Sequence, residues 1–299
     1  MRPMYLLLVF VPASLAAELL HQETAVFITS ALAIVPLAAL LGEATEQLAI
    51  RLGPQRGGLL NATLGNLTEL IVGFFLVAAG DVAILKATLI GSIVGNLLLV
   101  LGLSFAVGGL YHKSMTFNPR TASVHASSLL LAVAGLVVPA MLVFGSSVGS
   151  TAREAVSVFV AIVLMSLYLA VNSLHSAISV LHIPTAFVGL ILIPVIGNAA
   201  EHASAIFFAI KNKLDITVEI AVGSSTQVAM FVAPLLVFVS LFTFHPIDFV
   251  FTGFEIGIVA LATLIVTVTS RDGETNWLEG AQLLGAYMII AVTAFFLAA

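Results

Sequence analysis

The stretch Gly65-Asn66-Leu67-Thr68-Glu69-Leu70 returns 132 residues later as Gly197-Asn198-Ala199-Ala200-Glu201-His202. At the same offset Gly91-Ser92-Ile93 answers to Gly223-Ser224-Ser225. Each half of the chain thus carries a G-N-x-x-E pattern and, 23 residues after its Glu, a Ser. Both glutamates lie inside long apolar runs, so the medium around those runs decides what the pattern means.

That medium is lipid. Of 299 residues 61% are hydrophobic and 8% charged, with a mean hydropathy of +1.19, whereas a soluble domain carries about 25% charged residues. A water-soluble fold of this length cannot hide so much apolar surface. A spanning helix needs roughly 20 apolar residues. Ten candidate segments meet the need: 4–20, 25–50, 58–79, 83–110, 120–145, 154–175, 183–210, 215–242, 248–270 and 276–298. They are continuous runs, not the alternating ten-residue segments of a membrane barrel. The separators are short and turn-like, clearest at 51–58, 211–215 and 271–274. The fold class is therefore all-α, a polytopic membrane helix bundle. It divides into an N-terminal helix (1–22), a first repeat (23–145) with Gly65–Glu69, and a second repeat (146–299) with Gly197–Glu201. The segment 4–20 reads as a membrane helix and not as a signal peptide, since Arg2 is its lone preceding charge and no A-x-A site precedes Glu18.

The net charge of −5 is thinly spread and there is no basic tract, which gives no argument for nucleic acid. There is no cysteine, which excludes disulfides and thiolate metal sites. No H-E-x-x-H is present, which speaks against an intramembrane metalloenzyme.

A carboxylate at membrane depth costs about 2.5–3.5 kcal/mol on insertion scales, and such residues line ion pathways. In transporters built from repeats the substrate site lies near the midplane, between the halves. Asn66 and Glu69 are three apart, as are Asn198 and Glu201, and that spacing places amide and carboxylate on one helix face. Ser92 and Ser224 add hydroxyls from the following helix, and Gln227 lies one turn after Ser224. An all-oxygen set without thiolates suits a hard divalent cation such as calcium, which takes six to eight oxygens. Out of water an empty carboxylate favours its protonated form, while a bound divalent cation favours the ionised form. Cation and protons then compete for one pair of groups, and alternating access turns the competition into exchange.

Other polar residues carry two readings each. Glu43 and Glu46 are either an access path or proton relay, or a headgroup-level pair beside Arg51. His202, about 100° around the helix from Glu201, is either a proton acceptor or a structural hydrogen-bonding group. Asp81, Lys86, Glu219 and Asp248 read as boundary residues. His21, His112, His175, His182 and His245 read as interfacial, without metal-ligand spacing.

At LGEATEQLA (41–49), GGLLNATLGNLTELIVG (57–73), GSIVGNLLLVLG (91–102), FVGLILIPVIGNAAEHASAIFFAIKNKLDI (187–216) and GSSTQVAMFVAPLLV (223–237) the sequence resembles the calcium/cation–proton exchanger family, over nearly its whole length. The resemblance implies two inverted-topology repeats whose acidic motif residues, here Glu69 and Glu201, bind the transported Ca2+ with Asn66, Asn198, Ser92, Ser224 and Gln227 nearby. It implies H+ as counter-ion, and places Glu43 and Glu46 in the access path. Sodium-coupled relatives carry a G-x-S-x-P-E-type motif, which is absent here. The family also implies eleven spans, with three between the halves of the site where this chain offers two, 120–145 and 154–175. Ten crossings would run the two motif helices the same way and put Lys113 on the opposite side from Lys211, Lys213 and Arg271. Both points predict a further or miscounted crossing between about 120 and 182.

The expected function is Ca2+/H+ exchange, extending to other divalent cations because oxygen sites overlap. A sodium/calcium exchanger and a cation channel are the alternatives. The short loops predict a prokaryotic plasma membrane, with a vacuolar membrane as the other setting.

Overall fold

In a computed structural model the protein is described over residues 3–22, 24–37, 65–119 and 187–297, with scattered helical positions between 40 and 137. Glu43, Glu46 and the segment 154–175 lie outside the described residues, and 120–145 is described only at single positions.

Helix α1 (Phe10–Leu19) follows a tighter turn over Pro3–Val9, and α2 spans Thr24–Leu37. Helix α3 is Leu67–Ala79. It ends on Gly80, whose φ of 78° only glycine adopts readily. Helix α4 runs unbroken over 31 residues, Val82–His112. Helices α5 (Gly189–Gly197) and α6 (Ala199–Ile210) meet at a 68° bend. Helix α7 (Leu214–Ser240) has 27 residues, α8 is Gly253–Thr269, and α9 is Trp277–Leu297. Among the described residues α4, α7 and α9 are long and apolar enough to cross a membrane.

The predicted spans at 83–110, 215–242 and 276–298 match α4, α7 and α9 closely. Two others need correction. The run 183–210 is not one straight span but α5 and α6. The run 248–270 starts late, because helix begins only at Gly253. The fold is also not purely helical. Strand β1 (Ser114–Thr116) pairs antiparallel with β2 (Glu274–Asn276), bringing Ser114 opposite Asn276 and Thr116 opposite Glu274.

The contacts fix how the helices run. Lys86, at the start of α4, pairs with Asp248, beyond the end of α7. Midway, Ser225 Oγ donates to the Ile93 carbonyl and Asn96 Nδ2 to Ser224 Oγ. At the far end the Asn118 amide donates to Asp215, at the start of α7. Helices α4 and α7 are therefore antiparallel. Helix α3 follows α7, since Asn66 meets Gln227, Gly73 meets Leu236 and Gly80 meets His245. Helix α6 follows α4, since Asn198 meets Ser92, Ala209 meets Gly108 and His112 meets the Ile210 carbonyl. So α3 and α6 run in opposite senses. Lys113, Lys211, Lys213 and Arg271 gather at one end of the bundle, near the β1–β2 ladder, and not on two sides as a count of ten crossings would have them.

Helix α4 lies close against α5 at Gly91, where a Cβ would come within 2.5 Å of the Leu190 carbonyl oxygen, and at Gly189, where a Cβ would come within 2.5 Å of Ala87 Cβ. Helix α9 packs antiparallel on α4 through Gly102, Gly109 and Gly280. Both long helices loosen at their centres into π-helical turns, Gly95–Val100 in α4 and Glu219–Gly223 and Val228–Val232 in α7. Such turns are rare and gather at functional sites.

Candidate ion site

The π-helical centres of α4 and α7 cross where α3 and α6 begin. Asn66 and Asn198 sit at these two starts with nearly the same backbone, φ −100°, ψ 26° and φ −97°, ψ 11°. Both lie off the helical geometry, which corrects the reading of each Asn–Glu pair as one helix face. The Asn is the residue on which the chain turns into the helix. Three residues on, Glu69 and Glu201 fall in the first turns of α3 and α6, where the positive end of the helix dipole favours an anion.

The amides reach across to the other half. Asn66 Nδ2 donates to Gln227 Oε1 at 2.6 Å, and Ser224 Oγ lies 3.3 Å from Asn66 Oδ1 and 3.0 Å from Glu201 Oε2. Asn198 Nδ2 donates to Ser92 Oγ at 3.4 Å. The structure brings together Glu201, Ser224, Asn66 and Gln227 in one chain of contacts, and Asn198 with Ser92 in another. Asn66, Asn198, Ser92 and Ser224 are all buried.

Glu69 differs from its counterpart. It is buried, and among the described residues neither of its carboxylate oxygens has a partner in good hydrogen-bond geometry, although the Asn198 side chain lies beside it. A buried polar group left unpaired costs about 1–3 kcal/mol, more if charged. The amides and hydroxyls around it bond to one another and leave its carboxylate for something else to complete.

Asn96 escaped the sequence reading. It is buried and donates to Ser224 Oγ at 3.1 Å. Its signal was there: an amide one turn after Ser92, inside an otherwise apolar run. His202 is buried, and its Nε2 has no partner among the described residues. No group of three or more His, Cys, Asp and Glu able to hold a metal occurs among the described residues. The site is one of carboxylates, amides and hydroxyls.

The sodium/calcium exchanger protein family model matches the chain twice, over residues 23–174 and 169–296. The Ca(2+)/H(+) antiporter of Aphanothece halophytica is 39% identical, with 97% of this chain and 95% of that protein covered. The chain belongs to the calcium/cation–proton exchanger family. Vacuolar cation/proton exchanger 3 of Oryza sativa subsp. japonica is 37% identical over 97% of this chain and 85% of its own. The solved structure of native YfkE superposes with a TM-score of 0.89 at 39% identity, covering 98% of this chain and 99% of that one. The H+/Ca2+ exchanger CAX shares the fold at 16% identity, with a TM-score of 0.66. Members of this family are antiporters, so the chain is a transporter and not an enzyme.

Proposed function

We propose that the protein exchanges Ca2+ for H+ across a membrane by alternating access, through one site built on Glu69 and Glu201. The observation that carries this is the buried carboxylate of Glu69 at the start of α3, where Asn66 joins Gln227, Ser224 and Glu201 in one chain of oxygen-bearing contacts. Two carboxylates balance one divalent charge. Asn66, Asn198, Ser92, Ser224 and Gln227 supply the remaining oxygens, and Asn96 orients Ser224. When Ca2+ leaves, protons neutralise the two carboxylates, whose mutual repulsion and burial make the empty, doubly charged state unfavourable. The names of the relatives, antiporters of Ca2+ and H+, support this pairing over sodium exchange.

The halves form inverted-topology repeats in this reading. The double match to one family model, the opposite senses of α3 and α6, and the like backbone at Asn66 and Asn198 all support it. The first relative aligns over 355 positions, some 65 more than 97% of 299 residues can fill, so relatives carry residues that this chain lacks. We place that difference between about 120 and 182, where the count of crossings also falls one short. Glu43 and Glu46 belong to the access path and His202 to the proton route. The setting is a prokaryotic plasma membrane.

Reconstitution into liposomes tests the proposal. An imposed pH gradient, acid inside, should drive Ca2+ uptake in sodium-free medium. Uptake that requires a sodium gradient and ignores pH would contradict it. Flux without obligatory counter-movement of protons would point to a channel instead.

A further inference from the structure

Beyond the end of α7 the chain exposes two aromatic rings that no neighbour among the described residues covers. Phe242 is 92% exposed and Phe244 99%. The turn that carries them is held in place. Thr243 Oγ1 donates to the Ser240 carbonyl, the His245 amide donates to Thr243 Oγ1, and the Ile247 amide to Ser240 Oγ. His245 packs against Gly80, and Asp248 pairs with Lys86. A few residues on, Phe249 and Phe251 stack 6.3 Å apart and are buried. The segment thus sorts its four phenylalanines into two inside and two outside on a fixed backbone.

Position decides what meets the outer pair. The turn joins α7, long and apolar enough to span, to the apolar α8, at the end of the bundle opposite Lys113, Lys211, Lys213 and Arg271. At that level Trp and Tyr form the interfacial belt, and a phenyl ring, apolar throughout, sits at its acyl-chain edge. We propose that the Leu241–His245 turn is a bilayer anchor, with Phe242 and Phe244 inserted at the membrane surface on the side remote from the β1–β2 ladder. Through Lys86–Asp248 the anchor also fixes the depth of α4, and through α7 that of Ser224 and Gln227. The inference rests on the reading of the chain as membrane-spanning.

Tryptophan fluorescence tests it on the full chain in phosphatidylcholine vesicles. Trp277 is the only tryptophan, so Trp277→Phe gives a silent background. Into it go Phe242→Trp, Phe244→Trp and, as a mid-span reference, Ile289→Trp, a position 70% exposed on α9. The anchor predicts blue-shifted emission at 242 and 244, quenched roughly twofold by bromines high on the acyl chains and little by aqueous iodide, with Ile289→Trp quenched best by deep bromines. Iodide quenching at 242 and 244 without bromolipid quenching overturns the anchor while Ile289→Trp still reports a span. Protection from both quenchers that is lost on dilution in lipid assigns the rings to a second copy of the chain and overturns it too. If Ile289→Trp also escapes the bromolipids, the spanning reading itself fails.

Discussion

Glu255 and Glu69 are both buried carboxylates in the first turn of an apolar helix, yet their surroundings set them apart. Glu255 Oε2 accepts from the Thr252 amide and from Thr252 Oγ1, each at 2.8 Å, and the Thr252 hydroxyl takes the Glu255 amide in return. It closes a capping box and has nothing to offer an ion. Glu255→Ala should leave Ca2+ affinity unchanged and cost about 0.5–2 kcal/mol of stability, read as a lower melting temperature in detergent. Glu69→Gln and Glu201→Gln should do the reverse, keeping the fold while lowering transport by roughly 100-fold, about 2.8 kcal/mol. Asn96→Ala should weaken Ca2+ binding about tenfold by freeing the Ser224 hydroxyl, an effect of roughly 1.4 kcal/mol that a binding isotherm resolves. The repeat made Glu69 and Glu201 legible in the sequence, because a carboxylate in lipid has few other uses. Their difference in pairing was not legible. It depends on where Ser224 Oγ points, and the two halves carry the same Glu-to-Ser spacing.

At the scale of elements, hydropathy found α4 and α7 almost to the residue, since an apolar run bounded by polar turns leaves little freedom. It could not see the 68° bend at Asn198, because the residues on both sides of a mid-span break are as apolar as those of a straight helix. Nor could it see β1 and β2, three-residue strands too short to show alternation. The close approach of α4 to α5 is likewise a matter of missing Cβ atoms. Gly91→Ala would press against the Leu190 backbone and should destabilise by about 1–3 kcal/mol, whereas Gly257→Ala, with open space around it, should be close to neutral. Thermal melts of the two variants side by side distinguish them.

The whole molecule is held as two antiparallel long helices, α4 and α7, pinned at both ends and at the centre, each with a shorter companion running alongside. That arrangement gathers Lys113, Lys211, Lys213 and Arg271 at one end, with Lys86 at the other paired to Asp248, and the positive-inside rule predicts that the first end faces the cytoplasm. Because the chain has no cysteine, single cysteines report orientation directly. Lys213→Cys should react with an impermeant maleimide from the same side as Ser114→Cys, and Pro246→Cys, exposed just beyond the anchoring turn, from the opposite side. The sequence carried the charges but not their grouping, which depends on crossings in the segment between the halves. The central claim is that calcium and protons share one pair of carboxylates, and the most direct test is calcium binding to the purified protein as pH is varied. The account predicts that binding releases protons and weakens as pH falls, and that Glu69→Gln and Glu201→Gln each abolish both effects. Calcium binding that is independent of pH and survives both substitutions would contradict it.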